Sequence, residues 1–380
     1  MNRRHAIKHL AVLSAGTLVW PPSSATTNAV TDAGASADGA VRADLPPVAF
    51  HNLQELEPLA EGGWRLNRVP ATLWPRLNPS AQRRAYSPAG AELRFNLQAD
   101  EARVVIRYVE NRGEATRGWP LLAEIHHGDY FARWCEVRED WTDIVIRRPA
   151  NAEQLALAAA NPPGRFAAEL VRVVLPCLPD VQLRGIEGAV SPPRPDQVPR
   201  RRYLAYGSSI TNGATALRPS DAYPARVATA LGVDHFNLGF GGGAHLEPEM
   251  ADWIASRHDW DFATLELGIN LVGRLSPEEF AERVNHFIPR IVAAHPDKWI
   301  FCIDLFRARG DFSGDPKYPA FRDIVRAAVQ RLDSPRLVHC DGRDLLTRPT
   351  GLTLDLLHPS SEGFEEIAER LVAVMRPVVG

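Results

Sequence analysis

A short apolar run that ends in a glycine and two serines is the first stretch of this chain whose residue types suggest chemistry. Residues 203–206 predict a strand, and Gly207-Ser208-Ser209 follow it directly. Glycine permits a sharp turn at the end of a strand, and such a turn can present a serine hydroxyl at the edge of a parallel sheet. A serine held there is a candidate nucleophile. The same residues are common in ordinary turns, so the interpretation depends on partners elsewhere in the chain.

Two further segments could stabilise negative charge on a reacting oxygen. The glycine-rich residues 237–245 follow a second predicted strand, and their backbone amides could point at an anion. A dinucleotide-binding loop is the rival interpretation, but Gly268 stands where that motif needs an acidic residue. Asn270 follows the next predicted strand, where it could donate a hydrogen bond to the same oxygen or could simply occupy a turn.

Asp355 and His358 supply a candidate acid–base pair near the end of the chain. The acid precedes the histidine by three positions, so a turn can bring the carboxylate onto one ring nitrogen and leave the other nitrogen free. A solvated turn would explain these two residues alone. The serine, the glycine segment, the asparagine and this pair each follow a predicted strand, however, and their combination predicts a single nucleophilic site.

A parallel sheet is the element that would bring these segments together. After residue 202 strands and helices alternate, which indicates a parallel sheet with helices on both faces. The loops at the carboxyl ends of such strands converge at one edge of the sheet. The predicted strands are residues 203–206, 235–238, 263–267, 299–305 and 336–340, and the predicted helices are residues 222–231, 248–257, 277–294, 320–332 and 361–375, with Ser276 and Ser361 as helix starts.

The first half of the chain has the short alternating segments of an antiparallel β-sandwich. The predicted strands are residues 91–97, 102–108, 121–126, 141–146 and 169–174, with a turn at residues 161–164. Five tryptophans fall between residues 48 and 179. We expect most of them in the core, although an exposed one would suit stacking on a sugar ring. They are Trp64, Trp74, Trp119, Trp134 and Trp141.

Composition excludes several classes of function. The chain has 380 residues, which favours two domains, and its net charge of −3 gives no reason to expect a nucleic-acid or anionic-membrane partner. His126 and His127 would point to opposite faces of a strand, so we expect no metal site there. The four cysteines are too scattered for a disulfide scaffold, but Cys302 and Cys340 could be neighbours on adjacent strands.

The amino terminus has the layout of an export signal. Arg3-Arg4 precede an apolar run at residues 10–20, and a Pro-Ser-Ser-Ala stretch follows. This pattern predicts export by the twin-arginine route to the periplasm or the medium, with residues 1–44 as signal and flexible leader. The apolar run is too short for a permanent membrane span. A disordered basic tail is the alternative.

The second half resembles the SGNH (GDSL-type) hydrolase superfamily over about residues 201–380. Residues 207–211, Gly-Ser-Ser-Ile-Thr, are similar to the first block of that family, and residues 237–242 are similar to the second. Residues 268–270 and 355–359 resemble the remaining two blocks. The resemblance implies a flavodoxin-like three-layer α/β/α domain at residues 203–380. A jelly-roll-like sandwich at residues 45–185 and a proline-rich linker at residues 186–202 would precede it.

The resemblance also implies a role for each site residue. Ser209 would be the nucleophile, and Asp355 would orient His358 as general base. The amides of Ser209 and Gly242 and the side chain of Asn270 would form the oxyanion hole. Ser208 and Leu271 stand where the family commonly has aspartate. His245, just past the glycine segment, is a candidate substrate contact or an ordinary surface histidine.

These residues predict a serine esterase that needs no cofactor and acts on a small-molecule or glycan ester. A tryptophan-rich sandwich ahead of the hydrolase domain favours O-acetyl groups on a carbohydrate as substrate. A small-ester or lipid acylhydrolase is the second possibility. A non-enzymatic, exported carbohydrate-binding protein is the third, and the intact set of Ser209, Asp355 and His358 argues against it.

Overall fold

The computed structural model describes residues 47–109, 120–160 and 164–380. Three sequence predictions therefore lie outside the described residues: the export signal and leader, Trp119, and most of the turn at residues 161–164. No helix in the described ranges is both long enough and apolar enough to cross a bilayer.

Two antiparallel sheets in residues 47–191 share one apolar core, as the alternating sequence predicted. Leu93 and Phe95 of one sheet and Val104 and Ile106 of the other are fully buried in it. The first sheet has the order β1-β4-β9-β6-β7 with β11 beside β4, and the second has the order β2-β3-β10-β5-β8. The strands are β1 Ala49–His51, β2 Glu55–Pro58, β3 Trp64–Asn67, β4 Glu92–Leu97, β5 Glu101–Val109, β6 Leu122–His127, β7 Tyr130–Glu136, β8 Thr142–Arg147, β9 Leu170–Val174, β10 Asp180–Glu187 and β11 Val190–Ser191.

The five parallel strands of the second half form a sheet in the order β13-β12-β14-β15-β16. One apolar cluster fills the face below α5, α6 and α8, and another fills the face below α4 and α10. The predicted three-layer α/β/α domain is thereby confirmed. The elements are β12 Arg202–Gly207, α3 Ser209–Asn212, α4 Tyr223–Leu231, β13 Asp234–Gly239, α5 Pro248–Ser256, β14 Phe262–Glu266, α6 Pro277–Ala294, β15 Trp299–Ile303, α7 Arg309–Ser313, α8 Lys317–Leu332, β16 Leu337–Cys340, α9 Gly342–Leu345 and α10 Ser361–Val379.

The helix starts predicted at α6 and α10 both agree with the structure. The Ser276 hydroxyl accepts a hydrogen bond from the Glu279 amide at 3.2 Å, and the Glu279 carboxylate accepts one from the Ser276 amide at 2.7 Å. This reciprocal capping fixes the first turn. Helix α10 begins at Ser361, as predicted, and its cap is Ser360, whose hydroxyl accepts from the Gly363 amide.

The segment between β3 and β4 differs most from the sequence prediction. It contains the helix α1 Pro79–Arg84, which the sequence analysis missed, and the short helix α2 Ala152–Ala159 was missed as well. Val69, Leu73 and Ala81 are buried in the core of the parallel-sheet half, not in the sandwich core. A segment between β3 and β4 of the first half therefore completes the apolar core of the second half.

The predicted linker at residues 186–202 is partly sandwich. Glu187 ends β10, and Val190 pairs with Leu97 of β4. Gln197 is buried, and its side chain exchanges hydrogen bonds with Asn96 at 2.8 and 2.9 Å. Strand pairing at Val190 and the buried Gln197 thus hold two points of this proline-rich stretch against the sandwich, while residues 194–196 between them are exposed.

The described tryptophans are less buried than expected, whereas Cys302 and Cys340 lie on neighbouring strands as the sequence suggested. Trp64 and Trp74 are only partly buried, and Trp134 is 56% exposed, with its ring tilted by 33° against that of Phe131. We expected most of the sandwich tryptophans to lie in the core. None of the four that the structure describes, Trp64, Trp74, Trp134 and Trp141, is fully buried. Cys302 and Cys340 lie on neighbouring strands but in the clusters on opposite faces of the sheet, so both thiols are free.

Candidate active site

Three side chains predicted from the sequence form a chain of hydrogen bonds at the carboxyl edge of the parallel sheet. Ser209 Oγ lies 2.8 Å from His358 Nε2, and His358 Nδ1 lies 2.6 Å from Asp355 Oδ2. This order places a carboxylate behind the imidazole and a hydroxyl in front of it, which is the arrangement that lets a neutral imidazole remove the serine proton.

The carboxylate of Asp355 is held in its charged form by the loop that carries it. Its second oxygen accepts hydrogen bonds at 2.9 Å from the Leu357 and His358 amides and from the Thr353 hydroxyl. Burial alone would raise the pKa of Asp355, but the bonds from the imidazole and from this loop outweigh burial and lower the pKa well below its usual range. The acid therefore stays ionised beside the imidazole.

The serine is presented by the tight turn between β12 and α3. Ser208 caps α3 by accepting from the Ile210 amide at 3.1 Å, so Ser209 becomes the first residue of the helix. A Cβ on Gly207 would collide with Thr211 and Glu266, including a 2.8 Å approach to Glu266 Cβ. Only glycine fits at the end of this strand, because the turn packs directly on the side chains beneath it.

Glu266 is a buried carboxylate that the sequence analysis did not select. It ends β14, accepts from the Ser208 amide at 2.6 Å and from the Thr211 hydroxyl at 3.0 Å, and so supports the turn that carries the nucleophile. Burial raises its pKa, and these two bonds oppose that rise. A charged residue at the end of an otherwise apolar strand was the available signal, since a buried acid requires partners.

The three predicted oxyanion donors face the same cleft as the serine hydroxyl. Ser209, Gly242 and Asn270 all line it. Asn270 Oδ1 accepts from the Ala244 amide at 3.1 Å, which turns its amino group away from that contact. Gly242 has φ of +70°, a left-handed conformation that glycine adopts without strain. Within the described ranges, the Ser209 and Gly242 amides and the Asn270 amino group have no acceptor.

His245 does not line the cleft, in contrast to the expectation of a substrate contact. One of its ring nitrogens lies 3.1 Å from the Gly242 carbonyl oxygen, so it packs against the glycine segment. Its own carbonyl accepts from Arg283 at 2.6 Å. The structure therefore places His245 behind the oxyanion glycine rather than in the substrate space.

Arg68 anchors the glycine segment from the sandwich side and was also missed by the sequence analysis. It is 1% exposed and donates to the carbonyls of Asn237 at 2.7 Å and of Gly239 and Arg84 at 2.8 Å. Burial lowers the pKa of this guanidinium to about 9. No sequence pattern links residue 68 to residue 239, because the contact exists only after both halves have folded.

The cleft above the triad is walled by both halves of the chain and has a volume of about 550 Å³. The first half contributes Arg84, Leu122 and Leu178, and the second contributes the triad serine and histidine. This volume lies within the range of small-molecule pockets. In the described ranges, no cluster of His, Cys, Asp and Glu side chains is arranged to hold a metal ion.

Comparison with known proteins agrees with the geometry. Residues 205–365 match the model of the GDSL-like Lipase/Acylhydrolase family. No curated protein sequence matches the chain.

Several solved structures share the two-part fold. A salicylyl-acyltransferase from a tetracycline biosynthetic pathway is 19% identical, with a TM-score of 0.73 over 89% of this chain and 97% of its own. A family two carbohydrate esterase from Clostridium thermocellum is 17% identical, with a TM-score of 0.54 over 76% and 92%. An acetyl xylan esterase from Butyrivibrio proteoclasticus is 12% identical, with a TM-score of 0.52 over 87% and 98%.

At these identities the solved structures establish the fold alone. The family match covers each segment at a strand end that builds the site, from the serine turn to the histidine. Residues 205–365, which include every residue of the triad and of the predicted oxyanion hole, thus match the GDSL-like Lipase/Acylhydrolase family behind an antiparallel sandwich, and the chain is a serine ester hydrolase.

Proposed function

We propose that this hydrolase removes O-acetyl groups from a carbohydrate through an acyl-enzyme formed on Ser209. The observation that carries the proposal is the hydrogen-bond chain from Asp355 through His358 to Ser209 Oγ on the floor of the cleft. The structural similarity to carbohydrate esterases supports an acetylated glycan as substrate.

The geometry supports a two-step mechanism. His358 Nε2 takes the proton of Ser209 Oγ as that oxygen attacks the ester carbonyl carbon, and the resulting oxyanion accepts hydrogen bonds from the Ser209 and Gly242 amides and from Asn270. The protonated imidazole, paired with Asp355, then gives its proton to the departing alcohol. A water molecule, deprotonated by the same imidazole, hydrolyses the acyl-enzyme and releases the free acid and the serine hydroxyl.

A panel of esters tests this proposal. We expect release of acetate from acetylated oligosaccharides, and on p-nitrophenyl esters we expect kcat/KM to fall as the acyl chain lengthens from two carbons to twelve. The second candidate, a small-ester or lipid acylhydrolase, rests on the apolar side chains of Leu121, Leu178 and Leu217 in the cleft. A kcat/KM that rises with acyl length, without acetate release from any glycan, would favour that candidate.

We also propose export by the twin-arginine route, from the paired Arg3-Arg4 and the apolar run that follows them. A reporter fused behind residues 1–44 should reach the periplasm in a host with this pathway and remain inside a host that lacks it. Transport that is unaffected by replacing both arginines with lysine would contradict the proposal.

We likewise propose that the sandwich, about residues 45–191, and the hydrolase half, residues 202–380, are two structural domains, with the segment at residues 69–85 exchanged into the core of the second. Limited proteolysis tests this division. We expect the first cut in the described part of the chain to fall in the connection at residues 192–201, and a first cut inside either sheet would contradict it.

A further inference from the structure

A groove between α4 and α10 lies apart from the active site. Its volume is about 610 Å³, and none of its lining residues lines the catalytic cleft. The side chains of Ala230, Ala368, Val372 and Pro377 give it an apolar lining, and charged residues of both helices line it as well. An apolar groove between two surface helices is a place where a further helix can pack.

Two charged side chains of this groove have no partner of opposite charge in the described part of the chain. Among the described residues, the Glu369 carboxylate has neither a hydrogen bond nor an ion pair, and Arg376 donates only to the Ala230 carbonyl, at 2.8 Å. Both side chains are exposed. Arg226, the other arginine of the groove, already lies 3.7 Å from Glu365. Glu369 and Arg376 are therefore the two charges that a partner could neutralise.

The spacing of Glu369 and Arg376 prevents them from pairing with each other. They lie seven positions apart on α10, which is about two turns and about 10 Å along the helix axis. Seven positions also return to nearly the same side of a helix, and both residues line the groove. Val372 and Ala373, midway between them, line it too. This face of α10 thus has an acid, an apolar centre and a base, in chain order.

Such a face is complementary to a second copy of itself that runs in the opposite direction. A two-fold axis between Val372 and Ala373 would place each Glu369 opposite Arg376 of the partner copy, so that the same ion pair forms twice. A parallel arrangement would instead bring like charges together. This charge complementarity favours a second copy of the chain as the occupant of the groove.

We propose that the groove between α4 and α10 is the interface of a two-fold homodimer in which the α10 helices of two copies pack antiparallel. The apolar residues of the groove are buried against the partner copy, and the two Glu369–Arg376 pairs fix the register. Helix α10 begins three residues after the catalytic His358, so its first turn lies near the cleft. Antiparallel α10 helices therefore leave the two clefts open at opposite ends of the dimer.

Charge reversal on the full chain tests the proposal. Analytical ultracentrifugation would give the Kd of dimerisation for wild type, Glu369→Arg, Arg376→Glu, the double variant that carries both changes, and Ala373→Arg, which puts a long side chain at the centre of the interface. The controls Glu282→Arg and Arg331→Glu reverse exposed charges on α6 and α8, away from the groove. Circular dichroism would show which variants fold, and Glu369→Arg and Ala373→Arg suffice if Arg376→Glu does not.

We expect a wild-type dimer with a Kd of about 10 μM or tighter. Each single reversal brings like charges together at both ends of the interface and should raise the Kd about tenfold or more, as should Ala373→Arg, while the controls should stay within about twofold. The double variant exchanges the two charges and should return to within about threefold of wild type. An equimolar mixture of Glu369→Arg and Arg376→Glu chains should form a heterodimer, because one chain has bases at both positions and the other has acids.

Three results would overturn the proposal. The first is a wild type that stays monomeric at about 100 μM. The second is a dimer that neither the charge reversals nor Ala373→Arg weaken, because the interface would then lie elsewhere. The third is a loss in the single variants that neither the double variant nor the mixture recovers, because Glu369 and Arg376 would then not pair across the interface.

Discussion

At the scale of single residues, the site depends on two carboxylates in different surroundings. Asp355 has a lowered pKa because four hydrogen bonds converge on it, and it stays ionised next to His358. Glu266 has a raised pKa because it is buried below the serine turn. The first carboxylate orients the base and stabilises its charged form, while the second holds the backbone that presents the nucleophile.

Replacing Asp355 by asparagine should lower kcat by roughly three to four orders of magnitude with little change in KM, because the amide favours the wrong imidazole tautomer and cannot stabilise the imidazolium. Steady-state kinetics on p-nitrophenyl acetate would measure this change. Asp252→Asn is the matched control, since Asp252 is an exposed residue paired with Arg290. A kcat within about tenfold of wild type would show that Asp355 does not serve His358.

At the scale of elements, α1 and Arg68 show how the sandwich half shapes the site. Gly243 packs against the backbone of α1, and a Cβ there would lie 2.8 Å from Ala81 Cα. Arg68 holds the strand end that leads into the glycine segment by donating to the Asn237 and Gly239 carbonyls of the second half and to the Arg84 carbonyl of the first. The oxyanion donor Gly242 is thus positioned partly by residues about 160 positions earlier in the chain.

Arg68→Leu should destabilise the fold by about 3 kcal/mol, because several buried carbonyls would lose their donor. The midpoint of urea unfolding would report the loss. Arg331→Leu, an exposed change of the same kind, should leave the midpoint almost unchanged. If Arg68→Leu unfolded at the wild-type midpoint, the buried contacts to Asn237 and Gly239 would not contribute to stability.

The sequence predicted most of the long elements but missed the strands β7 and β10, and it predicted none of the contacts between distant parts of the chain. Helix α6 falls on the predicted residues because its apolar period, Ser276 cap and Pro277 are all local signals. Strands β1 to β3 and β11 have four residues or fewer, too few to show a period, and α1 has only six. The triad segments were found because each joins a local motif to a predicted strand end, whereas Arg68 and Glu266 act through partners that are distant in sequence.

At the scale of the whole molecule, buried charges join the two halves along the edge strand β13. Arg94 of the sandwich binds both oxygens of Asp234 at 2.6 and 2.8 Å, and His51 lies 2.7 Å from the His235 carbonyl. Burial opposes the charge of Asp234, but Arg94 outweighs that effect and lowers the Asp234 pKa. The open edge of the parallel sheet is thereby covered, and the cleft is fixed between the halves.

This buried edge predicts a loss of stability in mild acid. Burial lowers the pKa of His235 to about 3, whereas an unfolded histidine titrates near 6.5, so the unfolded chain binds a proton that the folded chain excludes. Stability should therefore fall as pH drops below about 6.5, by about 1 kcal/mol per pH unit from this residue. Urea unfolding at pH 7.0 and pH 5.0 would measure it.

The variant His235→Gln removes that titration and should show a smaller difference between the two pH values, even if it is less stable at both. His258→Gln is the control, because His258 is exposed. An identical acid-induced loss in wild type and His235→Gln would mean that other groups cause it.

The central claim is that Ser209, and not Ser208, is the nucleophile. Its most direct test is labelling of the folded protein with a fluorophosphonate, followed by mass mapping of the modified peptide in wild type, Ser208→Ala and Ser209→Ala. We predict one label, on Ser209, in wild type and in Ser208→Ala, and none in Ser209→Ala. A label on Ser208, or a label that persists in folded Ser209→Ala, would contradict the account.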